Sequence, residues 1–127
     1  VGIAGNEGSY VNGFGSWSEI LTVAASDKND DRASFSNFGS AVDLTGPGSN
    51  IRSLVPGGGV RQGSGTSFAA PHVSGTAALL LSLNNNLDSD DVENILKNTS
   101  KDISQNGIDK YTGHGLVDAN SAVRSLS

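Results

Sequence analysis

The run from Phe68 to Leu83 constrains this chain more than any other stretch. Ala69, Ala70, Val73, Ala77, Ala78, Leu79, Leu80, Leu81 and Leu83 leave it almost no polar face. The pattern predicts a helix, and a helix apolar around most of its circumference is expected to be buried on all sides. Burying it takes layers, and a chain of 127 residues with 35% hydrophobic content supplies few. Val1-Gly2-Ile3-Ala4 adds to this mismatch, because it reads as a core strand already under way. The expectation is a chain that holds part of a domain.

The remaining elements are shorter. Ile20–Ala24 reads as a buried strand, and Ala41–Leu44 and Ile51–Val55 as two more. Pro56-Gly57-Gly58-Gly59 before Val60 predicts the turn of a hairpin. Asn84-Asn85-Asn86 ends the long helix. Ser89 or Asp90 then caps an amphipathic helix carrying Val92, Ile95, Leu96 and Thr99, with Asp90 and Glu93 in capping-box spacing. Leu116, Ala119, Val123 and Leu126 mark a last helix. Strands mixed with a central buried helix predict an α/β layered fold.

Composition removes several classes of function. Thirteen acidic against eight basic residues give a formal charge of −5, and the basic residues are scattered, so nucleic acid is not an expected partner. No stretch is long and apolar enough for a membrane span. Val1–Asn6 lacks the cationic start of a signal peptide. The absence of cysteine rules out disulfides, thiolate metal sites and cysteine nucleophiles. Asp27, Asn29, Asp30 and Asp31 read as a solvated turn and not as a calcium loop, so no metal site is assigned.

The densest chemical signal is Gly65-Thr66-Ser67-Phe68-Ala69-Ala70-Pro71-His72-Val73-Ser74-Gly75. It places Ser67 at the N-terminus of the long helix, with Pro71 expected in the first turn, where it would remove no intrahelical hydrogen bond. By position alone, Ser67 reads as a cap. The unpaired N–H groups and positive dipole end there also favour negative charge, so the same place can stabilise an oxyanion.

That segment resembles the one bearing the nucleophilic serine of the subtilisin-like serine proteases, the subtilases. Ala4-Gly5-Asn6-Glu7-Gly8 resembles the segment with the family's oxyanion-hole asparagine. Arg32–Gly39, Asp43–Gly48 and Tyr111–Ala119 resemble the stretches that follow in the same order, so the resemblance covers nearly the whole chain. It implies a three-layer α/β fold with a mostly parallel sheet and flanking helices, and peptide-bond hydrolysis through Ser67 with Asn6 in the oxyanion hole. It implies no required cofactor; it leaves a structural calcium open, without support in this segment. Ala4 and Gly5 resemble one wall of the primary specificity pocket, and counting back from the Ile20 strand puts Asn12 near its floor. A polar floor would favour a polar or basic P1 side chain, whereas Asn12-Gly13 in isolation reads as a surface turn.

The general base is the missing part. His72 falls five positions after Ser67, about 140° around a regular helix, and should point away from it. By resemblance it is a buried structural histidine. His114 lies in a Gly-rich turn and matches no catalytic position of the family. The family order is Asp, His, Asn, Ser, and only the last two segments are present. The chain is therefore expected to be the C-terminal part, residues 1–127, of one subtilase catalytic domain. Its partner would be an N-terminal fragment carrying Asp and His, separated by nicking or autoprocessing, and alone it should not hydrolyse peptides. A secreted or cell-envelope bacterial enzyme is the expected setting. The rival expectation is a catalytically inactive subtilase-like binding or regulatory module.

Overall fold

Three parallel strands carry the functional loops, in a computed structural model that describes all residues, 1–127. They are β1 (Gly2–Ile3), β2 (Thr22–Ser26) and β3 (Leu44–Pro47), in spatial order β1-β2-β3. Val23 pairs with Ile3 on one side and Leu44 on the other. A separate antiparallel hairpin joins β4 (Ile51–Leu54) to β5 (Val60–Gly63). The helices are α1 (Thr66–Leu83), α2 (Ser89–Asn98) and α3 (Ala119–Arg124). This is an α/β fold with a parallel sheet and flanking helices.

Every residue of β2 is buried, and its alternation divides the interior. Val23 and Ala25 join Leu44, Ala69, Val73, Leu80, Val92, Leu96 and Ala122 in the main core under the three helices. Ala24 faces the other way, into a small cluster with Ala4 and Val42. Leu44, Leu80 and Leu96 are the largest fully buried apolar side chains. Truncating one to alanine is expected to cost about 2–5 kcal/mol. Gly46 lets α1 lie directly on β3: a Cβ there would meet the Ala69 carbonyl oxygen at 2.5 Å.

Several sequence expectations move. The β2 strand begins two residues later than the Ile20 run, because the Ile20 N–H turns back to the Trp17 carbonyl oxygen. The third strand is Leu44–Pro47, since Val42 is held in a turn by its N–H to Gly39 O. β1 pairs with β2 alone within this chain, and Ile3 is exposed. α1 is not buried all round either: Leu79, Leu81 and Leu83 are 49%, 42% and 59% exposed, and only the stripe Thr66, Ala69, Val73, Thr76, Leu80 is buried. The face that packs on β2 and β3 is the one that is buried. Pro71 lies in the second turn of α1, so the Ser67 carbonyl oxygen loses the N–H donor that a helix would give it. The α2 cap is Asp88, which exchanges hydrogen bonds with Asp91 in place of the Asp90–Glu93 box. Leu116 precedes α3 and bridges to Thr45 and Lys101.

Candidate active site

Ser67 is the second residue of α1, and the backbone that delivers it is unusual. Gly65 caps the helix with φ 153° and ψ 160°, a conformation only glycine tolerates. A Cβ at Gly65 would lie 3.1 Å from Ser67 Oγ and 3.5 Å from Asn6 Nδ2. Two groups 61 positions apart thus converge on one point of the surface. Both residues are exposed to solvent.

The orientation of Asn6 follows from its other end. Its Oδ1 accepts from the Thr66 backbone N–H at 2.8 Å and from the Thr66 hydroxyl at 2.9 Å. Thr66, fully buried, also accepts from Gly5 N–H through Oγ1 at 3.2 Å. With the carboxamide oxygen occupied twice, the NH₂ group is turned outward and has no partner within the chain. The Ser67 N–H belongs to the first turn and likewise has none. Two uncharged donors therefore stand open beside the Ser67 hydroxyl. Sequence reading missed Thr66, although its place between the glycine and Ser67 was a signal.

The loop carrying Asn6 is supported from beneath. Residues 33–38 fold around Arg32, whose guanidinium donates to Ser36 O at 2.6 Å and lies 5.3 Å from the Phe38 ring centroid and 5.8 Å from that of Tyr111. Ser36 Oγ accepts from Ala25 N–H in β2, tying this loop to the sheet. Asn37, fully buried, reaches from it to the Ala4–Ser9 backbone.

Beside Asn6 lies a cleft of about 560 Å³ whose walls include Ala4, Gly5, Glu7, Asn12, Phe14 and Gly15. The structure thus brings Ala4, Gly5 and Asn12 into one concavity with Asn6. Asn12 is exposed and precedes a short 3-10 turn, Gly13–Ser16, so the surface-turn reading and the cleft reading both describe its geometry.

No base is hydrogen-bonded to Ser67 Oγ. His72 Nδ1 contacts Phe68 O at 2.8 Å, and its ring is exposed, which corrects the expectation of a buried histidine: Pro71 and His72 lie on the solvent side of α1. His114 is half-buried near Lys97, Asp43 and Glu93; burial, then the Lys97 charge, pull its pKa below the ordinary histidine value. Lys97 is shared by Glu93 at 2.7 Å and Asp43 at 3.3 Å. Burial opposes its charge, but the hydrogen bond to Glu93 and the two carboxylates outweigh burial and raise its pKa. In the acidic turn, Asp27 Oδ1 accepts from the Asn29 and Asp31 N–H groups and Asp30 pairs with Lys101, all internal to the protein.

Known proteins resemble this chain along its length. The sequence pattern of the Subtilase family matches residues 2–115. Alkaline elastase YaB of Bacillus sp. (strain YaB) is 38% identical over 125 residues, which are 98% of this chain and 32% of that protein. Subtilisin BL of Lederbergia lenta is 38% identical over 125 residues, 98% of this chain and 45% of that protein. The crystal structure of a lanthipeptide protease matches 98% of this chain and 50% of its own with a TM-score of 0.91; at 24% identity that likeness concerns the fold. The chain spans between a third and a half of the length of these proteins.

Proposed function

The chain belongs to the subtilase family, and from that premise we propose that it is the nucleophile-bearing part of a serine endopeptidase. The observation that carries this reading is the clamped carboxamide of Asn6, whose NH₂ is left free at the point where Ser67 Oγ also arrives. In a substrate complex, Ser67 Oγ attacks the scissile carbonyl carbon and gives its proton to an imidazole. The carbonyl oxygen, now negative, accepts hydrogen bonds from Asn6 Nδ2 and the Ser67 N–H. The positive end of α1 adds to that stabilisation. Expulsion of the protonated amine leaves an acyl group on Ser67, and water releases it by the same steps in reverse order.

In this reading the imidazole and its orienting aspartate come from an N-terminal segment, a reading supported by His72 bonding Phe68 O and His114 standing beside Lys97, Asp43 and Glu93. This chain alone is accordingly inactive, and its partners are that N-terminal segment and a peptide or protein substrate. The cleft beside Asn6 receives the residue before the scissile bond. Ala4 and Gly5 form one wall, and Asn12 offers a polar group that favours polar or basic side chains. The mechanism requires no cofactor. An extracellular or cell-envelope location agrees with the bacterial alkaline elastase and subtilisin that the chain resembles.

The test is labelling by a fluorophosphonate, which reacts only with an activated serine. The complete protease, with its Asp- and His-bearing segment, should label at Ser67, and Ser67→Ala should abolish both labelling and peptide hydrolysis. A folded complete protein that leaves Ser67 unlabelled would instead be a binding or regulatory module built on the same fold.

A further inference from the structure

We propose that Asn37 is a positioning residue of the oxyanion hole: its buried carboxamide sets the course of the Ala4–Ser9 loop and, through it, the direction of the Asn6 NH₂ group. The inference rests on the endopeptidase reading and goes one step beyond it.

Asn37 is 0% exposed, and a buried carboxamide must have its hydrogen bonds supplied. All of its side-chain partners lie in one short loop. Oδ1 accepts from the Glu7 N–H at 2.9 Å and the Ser9 N–H at 3.0 Å. Nδ2 donates to Ala4 O at 3.0 Å and to Glu7 Oε1 at 3.3 Å. The backbone N–H of Asn37 donates to Gly5 O at 2.9 Å. The groups on both sides of Asn6 are therefore fixed by one residue, which touches neither Asn6 nor Ser67. Gly5 has to be glycine for this: a Cβ at its φ of 104° would collide with Asn37 Nδ2.

The arrangement has two layers. Thr66 holds the oxygen of the Asn6 side chain, while Asn37 holds the backbone that bears it. An oxyanion donor misplaced by about 1 Å loses much of its effect on the transition state while ground-state binding is little changed. Glu7 links the layers: one carboxylate oxygen accepts from Asn37 Nδ2 and the other from the Asn6 backbone N–H at 2.6 Å.

The test uses the complete protease and steady-state hydrolysis of a chromogenic peptide. Asn37→Ala should lower kcat roughly tenfold, a fraction of what loss of a whole oxyanion donor does, and KM should rise with it because Ala4 and Gly5 also wall the cleft. In an Asn6→Ala background the same change should leave kcat alone, because there is no donor left to aim. A role in stability only would lower the melting temperature and leave kcat unchanged, and that result would overturn the proposal. Asn37→Asp keeps the oxygen that accepts from Glu7 and Ser9 but sets a buried carboxylate against Ala4 O and the Glu7 carboxylate, so its kcat should fall at least as far as that of Asn37→Ala. If neither variant folds, hydrogen exchange of the unmodified protein decides. The Glu7 and Ser9 amides, in exposed residues, should exchange slowly, and fast exchange at both would contradict the proposal. An active protease with an unaffected Asn37→Ala variant sinks this inference alone, whereas an unlabelled Ser67 sinks the reading beneath it.

Discussion

Two helices begin in this chain in opposite ways. α2 starts at Asp88, whose carboxylate accepts from the Asp91 N–H while Asp91 returns the bond, and Asp90 and Asp91 set negative charge against the dipole. α1 starts at Gly65 with no side-chain cap and no acidic residue in its first turn. One end is closed by the protein's own carboxylates. The other leaves the Ser67 N–H without a partner, beside a carboxamide whose NH₂ is also free. In the proposed mechanism the same backbone feature serves stability in one place and receives a substrate's charge in the other. Supplying α1 with an ordinary cap would add stability and fill the place where an oxyanion is to sit.

The largest effect is expected at Asn6. Asn6→Ala should lower kcat by about 10²–10³ with little change in KM, a magnitude borrowed from the corresponding change in the related enzyme subtilisin. Steady-state kinetics on the complete protease reads it, and a change in KM alone would mean that Asn6 binds substrate without serving the transition state. Gly65→Ala comes next. It places a methyl group between Ser67 Oγ and Asn6 Nδ2 at a backbone angle that resists any side chain, so about 1–3 kcal/mol of stability should go together with most of the activity. Thermal unfolding and kinetics on one preparation would show both losses.

At the closed end the expected effects reverse. Asp88→Ala removes the α2 cap and should cost about 1 kcal/mol in denaturant unfolding, while kcat stays as in the wild type. The smallest effect concerns α3, capped by Asp118. The Ser121 backbone N–H, and then its hydroxyl, hold the Asp118 carboxyl below its ordinary pKa. A lowered folded value means that this contribution is complete above the unfolded pKa of about 3.9 and is lost as pH falls through the folded value. Asp118→Asn keeps a capping oxygen without the titration, so its stability should fall less steeply than wild type below pH 4.

The sequence made some of this legible and not the rest, for reasons that lie in the distance between partners. The β4–β5 hairpin was readable because Gly57, Gly58 and Gly59 act on their immediate neighbours. α1 was readable as a helix from its period, yet its burial was not: which leucines stay exposed depends on where β2 and β3 lie. Ser67 and Asn6 could be singled out only because whole segments resemble a family, since an isolated Asn-Glu-Gly or helix-start serine has commoner meanings. Asn37 had no local signature at all. Its role comes from contacts with Ala4, Glu7 and Ser9, some thirty positions earlier, that exist only after the sheet has formed. The α2 cap was displaced to Asp88 because Asp88, Asp90 and Asp91 are chemically equivalent, and only the chain's entry into the helix chooses among them.

In the proposed mechanism the free Asn6 NH₂ and the Ser67 N–H receive one oxygen together. The most direct measurement is a crystal structure of the complete protease with a peptide aldehyde, which adds to an activated serine to form a tetrahedral centre. The expected result is a covalent bond to Ser67 Oγ and an adduct oxygen about 2.7–3.1 Å from both Asn6 Nδ2 and Ser67 N. An adduct on Ser67 whose oxygen points to solvent, with Asn6 turned elsewhere, would contradict it.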